Sequence, residues 1–247
     1  MAGDYLAFRP HYPDALYQWL ASLTPGHDQA WDAGTGNGQA AVALAAHYSR
    51  VVATDFSIGQ IENAIPHPRV EYRVAGAEES GLEPGSTDLV TVAQALHWFD
   101  AAAFFREVQR VLVPSGAVVA WTYGVVHVDE ARADEVLGRF YYQEIGPWWP
   151  DNRRLVEEGY RSIEFPFTPV AVPSLELEAR WTLGQLTGYI GTWSAVSRYQ
   201  SDRGEDPIPD LARRLAETWG NPLEHRKIRW PLRILAGRNS EGVRRGE

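Results

Sequence analysis

The residues best suited to chemistry lie in four short stretches, and the sharpest is Asp32-Ala33-Gly34-Thr35-Gly36-Asn37-Gly38. Glycines let a backbone turn tightly and approach a ligand with no Cβ in the way. A dinucleotide fingerprint, G-x-G-x-x-G/A, aims a helix N-terminus at pyrophosphate. Here the spacing is G-x-G-x-G, with Gln39 at the fingerprint's last position and Ala40 one further on. The carboxylate of Asp32 would repel pyrophosphate, whereas it suits a cationic ammonium. Taken alone, a glycine-rich turn is common and names no ligand.

The second stretch is Asp55, at the end of the β-branched run Val51–Thr54. A carboxylate there can accept hydrogen bonds from both hydroxyls of a ribose. The alternative is that it caps the next helix, a task for which Ser57 competes, so ribose binding is the expectation. Phe56 and Ile58 would pack on a base such as adenine. The third stretch is Ala75-Gly76-Ala77-Glu78, where the Ala77 backbone or the Glu78 side chain could read the edge of that base. Glu78 could equally begin a helix. The fourth is Ala93-Gln94-Ala95-Leu96-His97-Trp98-Phe99, whose His97 titrates near neutrality and is the best general-base candidate. Packing and loop positioning are the competing role for His97 and Trp98. Together the loop, the acid and the absence of a phosphate cradle point to S-adenosylmethionine, which carries an α-ammonium and no phosphate.

These residues need strands to hold them. Ala30-Trp31, Val51–Thr54, Val70–Val74, Asp88–Ala93 and Ala117–Gly124 read as strands. Helical patterns fall between them at 39–47, after Ser57, and after Asp100, where Phe104, Val108, Val111 and Leu112 share a face. Pro114-Ser115-Gly116 is expected to turn the chain into the fifth strand. This alternation predicts an α/β, Rossmann-like fold with a mostly parallel sheet and helices on both faces. Beyond Gly124 the pattern loosens. Helices are expected at 129–145, 151–160, 183–199 and 208–219, with strands at 163–167, 175–181 and 227–235.

One domain is expected over residues 1–247. It would comprise a lid and helix at 1–28, a cofactor core at 29–124, a helical substrate-covering insertion with late strands at 125–235, and a flexible tail at 236–247. Composition narrows the function. With no cysteine, thiolate catalysis, disulfides and Cys-held metals are excluded. No two histidines show metal-ligand spacing, so no metal is expected. The formal charge of −9 argues against nucleic-acid binding, and no apolar run is long enough for a bilayer. With no secretory signal at the start, a cytoplasmic protein is the default, as a monomer or homodimer.

The four stretches, in this order, resemble the class I S-adenosylmethionine-dependent methyltransferases, and within them the type 11 proteins. Arg9-Pro10-His11-Tyr12-Pro13, Gln94 to Phe99 and Glu107-Val108…Arg110-Val111-Leu112…Pro114-Ser115-Gly116 extend the likeness to the trans-aconitate methyltransferase-like branch. The resemblance implies a seven-stranded sheet with a reversed last strand. It assigns Asp32, Gly34, Thr35, Gly36 and Gly38 to the methionine part, Asp55 to the ribose, and Ala77 with Glu78 to the adenine. Gln94 would sit beside the donor, and the 5–12 segment would close over it. A small-molecule acceptor would meet His11, Tyr12, Trp98, Trp148, Trp149, Trp193, Tyr199 and Arg198, the arginine holding an anion. Three alternatives stand beside this: a silent S-adenosylmethionine-binding regulator, a nicotinamide-dependent reductase, and a tRNA or protein methyltransferase.

Overall fold

A computed structural model of the chain describes residues 11–239, which gather into two compact units. The first holds Pro13–Tyr123, Leu155–Leu175 and the chain from Leu232; the second holds Gly124–Arg154 and Glu176–Pro231, with His11 and Tyr12.

The first unit opens with α1 (Asp14–Ser22), which buries Leu16, Tyr17 and Leu20. Then come β1 (Gln29–Ala33), α2 (Gln39–Leu44), β2 (Arg50–Asp55), α3 (Ile58–Glu62), β3 (Val70–Val74) and β4 (Thr87–Ala93). A helix, α4 (Ala101–Val111), leads to β5 (Leu112–Tyr123). The Asp100 carboxylate starts α4 by accepting the Ala103 N–H at 3.0 Å. Strands β3, β2, β1, β4 and β5 pair in parallel in that order. Strands covered on both faces read as near-continuous apolar runs, and β1 is buried at all five positions. The expected turn at Pro114-Ser115-Gly116 is instead part of β5. Leu112 pairs with Thr87 and Ala117 with Leu89, so the surplus residues are absorbed as a bulge rather than a reversal.

In the second unit the chain forms β6 (His127–Val128) and α5 (Ala131–Arg139). It returns to the first unit within α6 (Arg153–Glu157) and forms β7 (Thr168–Pro169) there. Then follow β8 (Glu176–Trp181), α7 (Leu183–Gly191), α8 (Ser194–Arg203), α9 (Ile208–Trp219) and β9 (Arg226–Arg238). As far as Pro231, β9 runs antiparallel to β8 and β6. From Leu232 it runs antiparallel to β5 and to β7. The first unit therefore has the expected seven strands, β3-β2-β1-β4-β5-β9-β7, with β9 reversed.

Three expected elements differ. The helix expected over 151–160 is only α6, because Gly159 takes φ +62° and stops it. Residues 163–167 are not a strand: Phe165 and Phe167 turn their rings edge-on to Phe105, so core packing rather than pairing uses the aromatic run. The helix expected over 183–199 breaks at Thr192-Trp193 into α7 and α8.

Candidate functional site

Parallel pairing brings the carboxyl ends of β1, β2 and β4 to one edge of the sheet, where open α/β sheets bind ligands. Each end carries one of the chemically capable stretches. Asp32 lies inside β1 and is fully buried. Its two oxygens accept hydroxyls, Thr35 Oγ1 at 2.6 Å and Thr91 Oγ1 at 2.8 Å. Burial pushes its carboxyl up to about 6, with the Asp55 charge adding to the rise; the two hydroxyls and the Ala41 backbone amide pull the other way.

The loop from Gly34 to Gly38 is left-handed at each of its three glycines, with φ +67°, +57° and +86°. Two of them have no room for a side chain. A Cβ on Gly34 would lie 2.6 Å from the Ala95 Cβ, and one on Gly38 would overlap the Tyr72 hydroxyl. Gly36 differs: among the described residues its Cβ would meet no atom nearer than 4.0 Å. The backbone is bare there on its open side, a cradle that a side chain would fill.

Asp55 ends β2 and grips this loop. Its Oδ2 accepts the Gly36 N–H at 2.9 Å and its Oδ1 accepts the Ser57 N–H at 2.9 Å. Ser57 stands at the N-cap position of α3, but its side chain makes no cap bond. Neither side chain caps α3; Asp55 bonds the Ser57 amide in the turn before it. Next to it Phe56 is 81% exposed, and Ile58 and Val74 are exposed as well. This leaves an apolar surface beside an oriented carboxylate.

Ala77 is buried and Glu78 exposed, in a turn closed by a bridge between Gly76 and Glu79. No helix begins at Glu78; its Oε1 accepts the Asp100 N–H at 3.0 Å and braces the start of α4. At the end of β4, Gln94 has φ +58°. Its N–H donates to the Trp121 carbonyl at 2.9 Å, its Oε1 accepts Thr122 Oγ1 at 2.5 Å, and its Nε2 donates to the Tyr123 carbonyl at 3.3 Å. His97 lies on the short helical turn Leu96–Trp98, with Nδ1 3.2 Å from the Tyr160 hydroxyl. Trp98 is 67% exposed, its ring tilted 42° to that of His97.

The remaining expected residues belong to the second unit. Trp193 packs with Tyr141, Trp149 and Tyr189, at ring separations of 5.5, 5.7 and 5.8 Å. Trp148 is in a different cluster, against Tyr199 and with its indole N–H donating to Asp202. Arg198 is exposed on α8. Two cations lie over these rings: Arg203, 5.4 Å over Trp148, and Arg153, 4.5 Å over Trp149 and donating through Nε to the Tyr141 hydroxyl at 2.8 Å. His11 is exposed and Tyr12 half-buried, and the earlier part of the expected lid lies outside the described residues; the tail expected from 236 is instead β9 as far as Arg238, and from 240 it too lies outside them. Sequence reasoning missed Thr91, Arg153 and Tyr160. Only Tyr160 left a local signal, the Gly159 that ends α6. Among the described residues no group of His, Asp and Glu gathers as metal ligands, and no helix is long and apolar enough to cross a membrane.

Comparison with known proteins shows the family to which this fold belongs. A family model described as a methyltransferase domain matches residues 31–120. A Dictyostelium discoideum protein named as a methyltransferase is 34% identical over 222 residues, covering 89% of this chain and 84% of that one. A Saccharomyces cerevisiae protein named as an S-adenosylmethionine-dependent methyltransferase is 24% identical, covering 85% and 84%. A solved structure named as a type II methyltransferase, from Anaeromyxobacter dehalogenans, is 44% identical, with a TM-score of 0.90 over 94% of this chain and 98% of that one.

Proposed function

The chain belongs to the class I S-adenosylmethionine-dependent methyltransferases, and from that premise we propose that it methylates a small molecule, using the carboxyl-end edge of the first unit's sheet for the cofactor. The observation that carries this site is the grip of Asp55 on the Gly36 amide. It makes the ribose-type acid and the bare glycine turn a single preorganised element. The cradle at Gly36 and the exposed Phe56 beside Asp55 fit a nucleoside with an amino-acid tail.

In this reading the remaining lone pairs of Asp55 accept the ribose hydroxyls and Phe56 covers one face of the adenine. The Ala77 backbone or the Glu78 side chain borders the adenine edge. Gly34, Thr35, Gly36 and Gly38 receive the methionine part. Asp32 acts from beneath the loop: its oxygens are buried, so it supplies negative charge toward the ammonium and holds Thr35 in place. Gln94, with its amide committed to β5, fixes the backbone beside the methyl donor.

When bound, S-adenosylmethionine supplies an electrophilic methyl on a sulfonium. The chain's own task is alignment, which converts a bimolecular displacement into an effectively unimolecular one. A carboxylate acceptor needs no base at neutral pH; a neutral hydroxyl or amine acceptor does, and His97 takes that proton. The formal charge of −9 supports a small acceptor over a nucleic acid. Within the second unit, Trp193, Trp149 and Tyr141 with Arg153 among them form an aromatic and cationic cluster suited to an anionic or planar group.

The test is methyl transfer from label-bearing cofactor to a panel of carboxylates, phenols and amines, run beside bulk RNA and protein. Label in the small-molecule fraction is expected. Label confined to RNA or protein overturns the acceptor class, and tight cofactor binding without transfer to any acceptor marks a silent binder.

A further inference from the structure

Among the described residues only two that are not glycine have left-handed backbone, Gln94 at φ +58° and Tyr160 at φ +63°. Each such residue costs about 1–2 kcal/mol, and such strain is kept where surrounding structure over-determines it. These two residues lie on the two segments that meet at the His97–Tyr160 contact.

The sequence explains how Tyr160 arrives there. Helix α6 ends in a paired cap: the Gly159 N–H donates to the Val156 carbonyl at 3.0 Å, and the Tyr160 N–H donates to the Leu155 carbonyl at 2.8 Å. This is a Schellman-type ending with glycine at its left-handed position. Tyr160 follows as the hydrophobic residue of the motif. It is fully buried, in the same cluster as Leu155, Phe104 and Phe105. Its ring lies 23° from parallel with His97, centroids 6.3 Å apart, and its hydroxyl is 3.2 Å from His97 Nδ1. The other side of the contact is also fixed, since Gln94 ties the start of the His97 loop to β5 through three hydrogen bonds.

A buried phenol on a capped helix end, facing an imidazole on a pinned loop, leaves the imidazole little freedom in orientation. We propose that Tyr160 is a positioning residue: its hydroxyl oxygen accepts the Nδ1–H of His97 and holds the imidazole in the tautomer whose basic atom is Nε2. The ring nitrogens of a histidine are inequivalent, and the hydrogen bond made by one decides the protonation of the other. In this tautomer Nε2 can receive the proton that a neutral acceptor loses, while Nδ1–H stays on Tyr160. The inference deepens the reading of His97 as base and rests on it.

The experiment needs no acceptor. Imidazole nitrogens of the full chain are observed by 15N NMR, at a pH well above the imidazole range, in wild type, in Tyr160→Phe, and in His97→Gln to assign the signal. Wild-type His97 is expected mainly as the Nδ1–H form. Tyr160→Phe, which keeps the ring in its slot, is expected to return it to the Nε2–H form that free imidazole prefers, with unchanged affinity for S-adenosylhomocysteine. A wild type already in the Nε2–H form overturns the proposal, and so does a tautomer that Tyr160→Phe leaves unmoved. If the Phe variant fails to fold, the wild-type spectrum alone decides. Failure of wild type to bind S-adenosylhomocysteine would count against the cofactor site itself and leave the tautomer measurement standing.

Discussion

Asp32 offers a prediction whose size follows from the structure. Its carboxyl sits at about 6 against an ordinary 3.8, because burial and the Asp55 charge outweigh the Thr35, Thr91 and Ala41 hydrogen bonds. A cationic ammonium arriving at the glycine loop stabilises the ionised form and pulls that value down. By linkage, the ligand then releases a proton on binding, and affinity falls as pH drops through 6. If the ammonium restores the ordinary value, S-adenosylhomocysteine should bind about tenfold more weakly at pH 5 than at pH 7, about 1.4 kcal/mol. At pH 6 about half a proton should leave per ligand bound. Calorimetry in buffers of different ionisation enthalpy measures both quantities. Asp32→Asn should flatten the profile and abolish the proton release. Methylthioadenosine, which keeps the nucleoside and lacks the ammonium, should show neither effect. Identical pH profiles for wild type and Asp32→Asn would refute the reasoning, since they would place the ammonium beyond the reach of this charge.

Other outcomes follow from the same geometry. Asp55→Ala removes charge-assisted hydrogen bonds of about 1.5–3 kcal/mol and should weaken S-adenosylhomocysteine roughly 10- to 100-fold by calorimetric titration. Gly36→Ala and Gly38→Ala share a left-handed strain of about 1–2 kcal/mol, but Gly38→Ala also overpacks Tyr72, at about 1–3 kcal/mol more. The Gly36 variant should therefore melt at the higher temperature of the two and still lose the ligand, because its methyl enters the cradle. Glu107 is held down to about 2 from 4.5 by Arg110 and by the Ser80 hydroxyl and amide. A depressed carboxylate stabilises the fold above its unfolded value and loses that contribution as pH falls through the folded one. Glu107→Gln should thus lower stability at neutral pH and flatten the decline between pH 4.5 and 2, as read by thermal melts. Arg153→Lys, which cannot lie flat on Trp149 while bonding the Tyr141 hydroxyl, should lower stability by about 0.5–1 kcal/mol in thermal melts.

Much of the candidate site's edge was legible because its signals are local. Asp32 and the glycines lie within seven residues, and Asp55 and Gln94 each end a strand whose β-branched or apolar run marks it. Parallel pairing then delivers them to one edge without further information from the sequence. What could not be read depends on contacts between distant segments. Thr91 matters only because β4 lies beside β1, and Tyr160 only because a capped helix end meets a loop 63 residues earlier. Phe165 and Phe167 have a strand's composition, but Phe105 takes their rings into a core, and composition cannot distinguish these uses. Sequence pointed to Arg198 as the anion holder and carried no sign of Arg153. The fold put Arg153 over indole and phenol and left Arg198 in solvent.

The reversed strand bears on how the protein is made. Strand β5 is buried from Gly116's neighbour Ala117 to Thr122, yet the partner that covers one of its edges, Leu232–Arg238, is translated more than a hundred residues later. A nascent chain that has completed its five parallel strands thus presents an open edge of unpaired backbone groups flanked by apolar side chains, a template for strand addition by a neighbouring chain. Shortening the protein before Leu232 should convert soluble product into aggregate during synthesis. Supplying the 232–239 segment in trans would be a direct way to ask whether that edge is the cause.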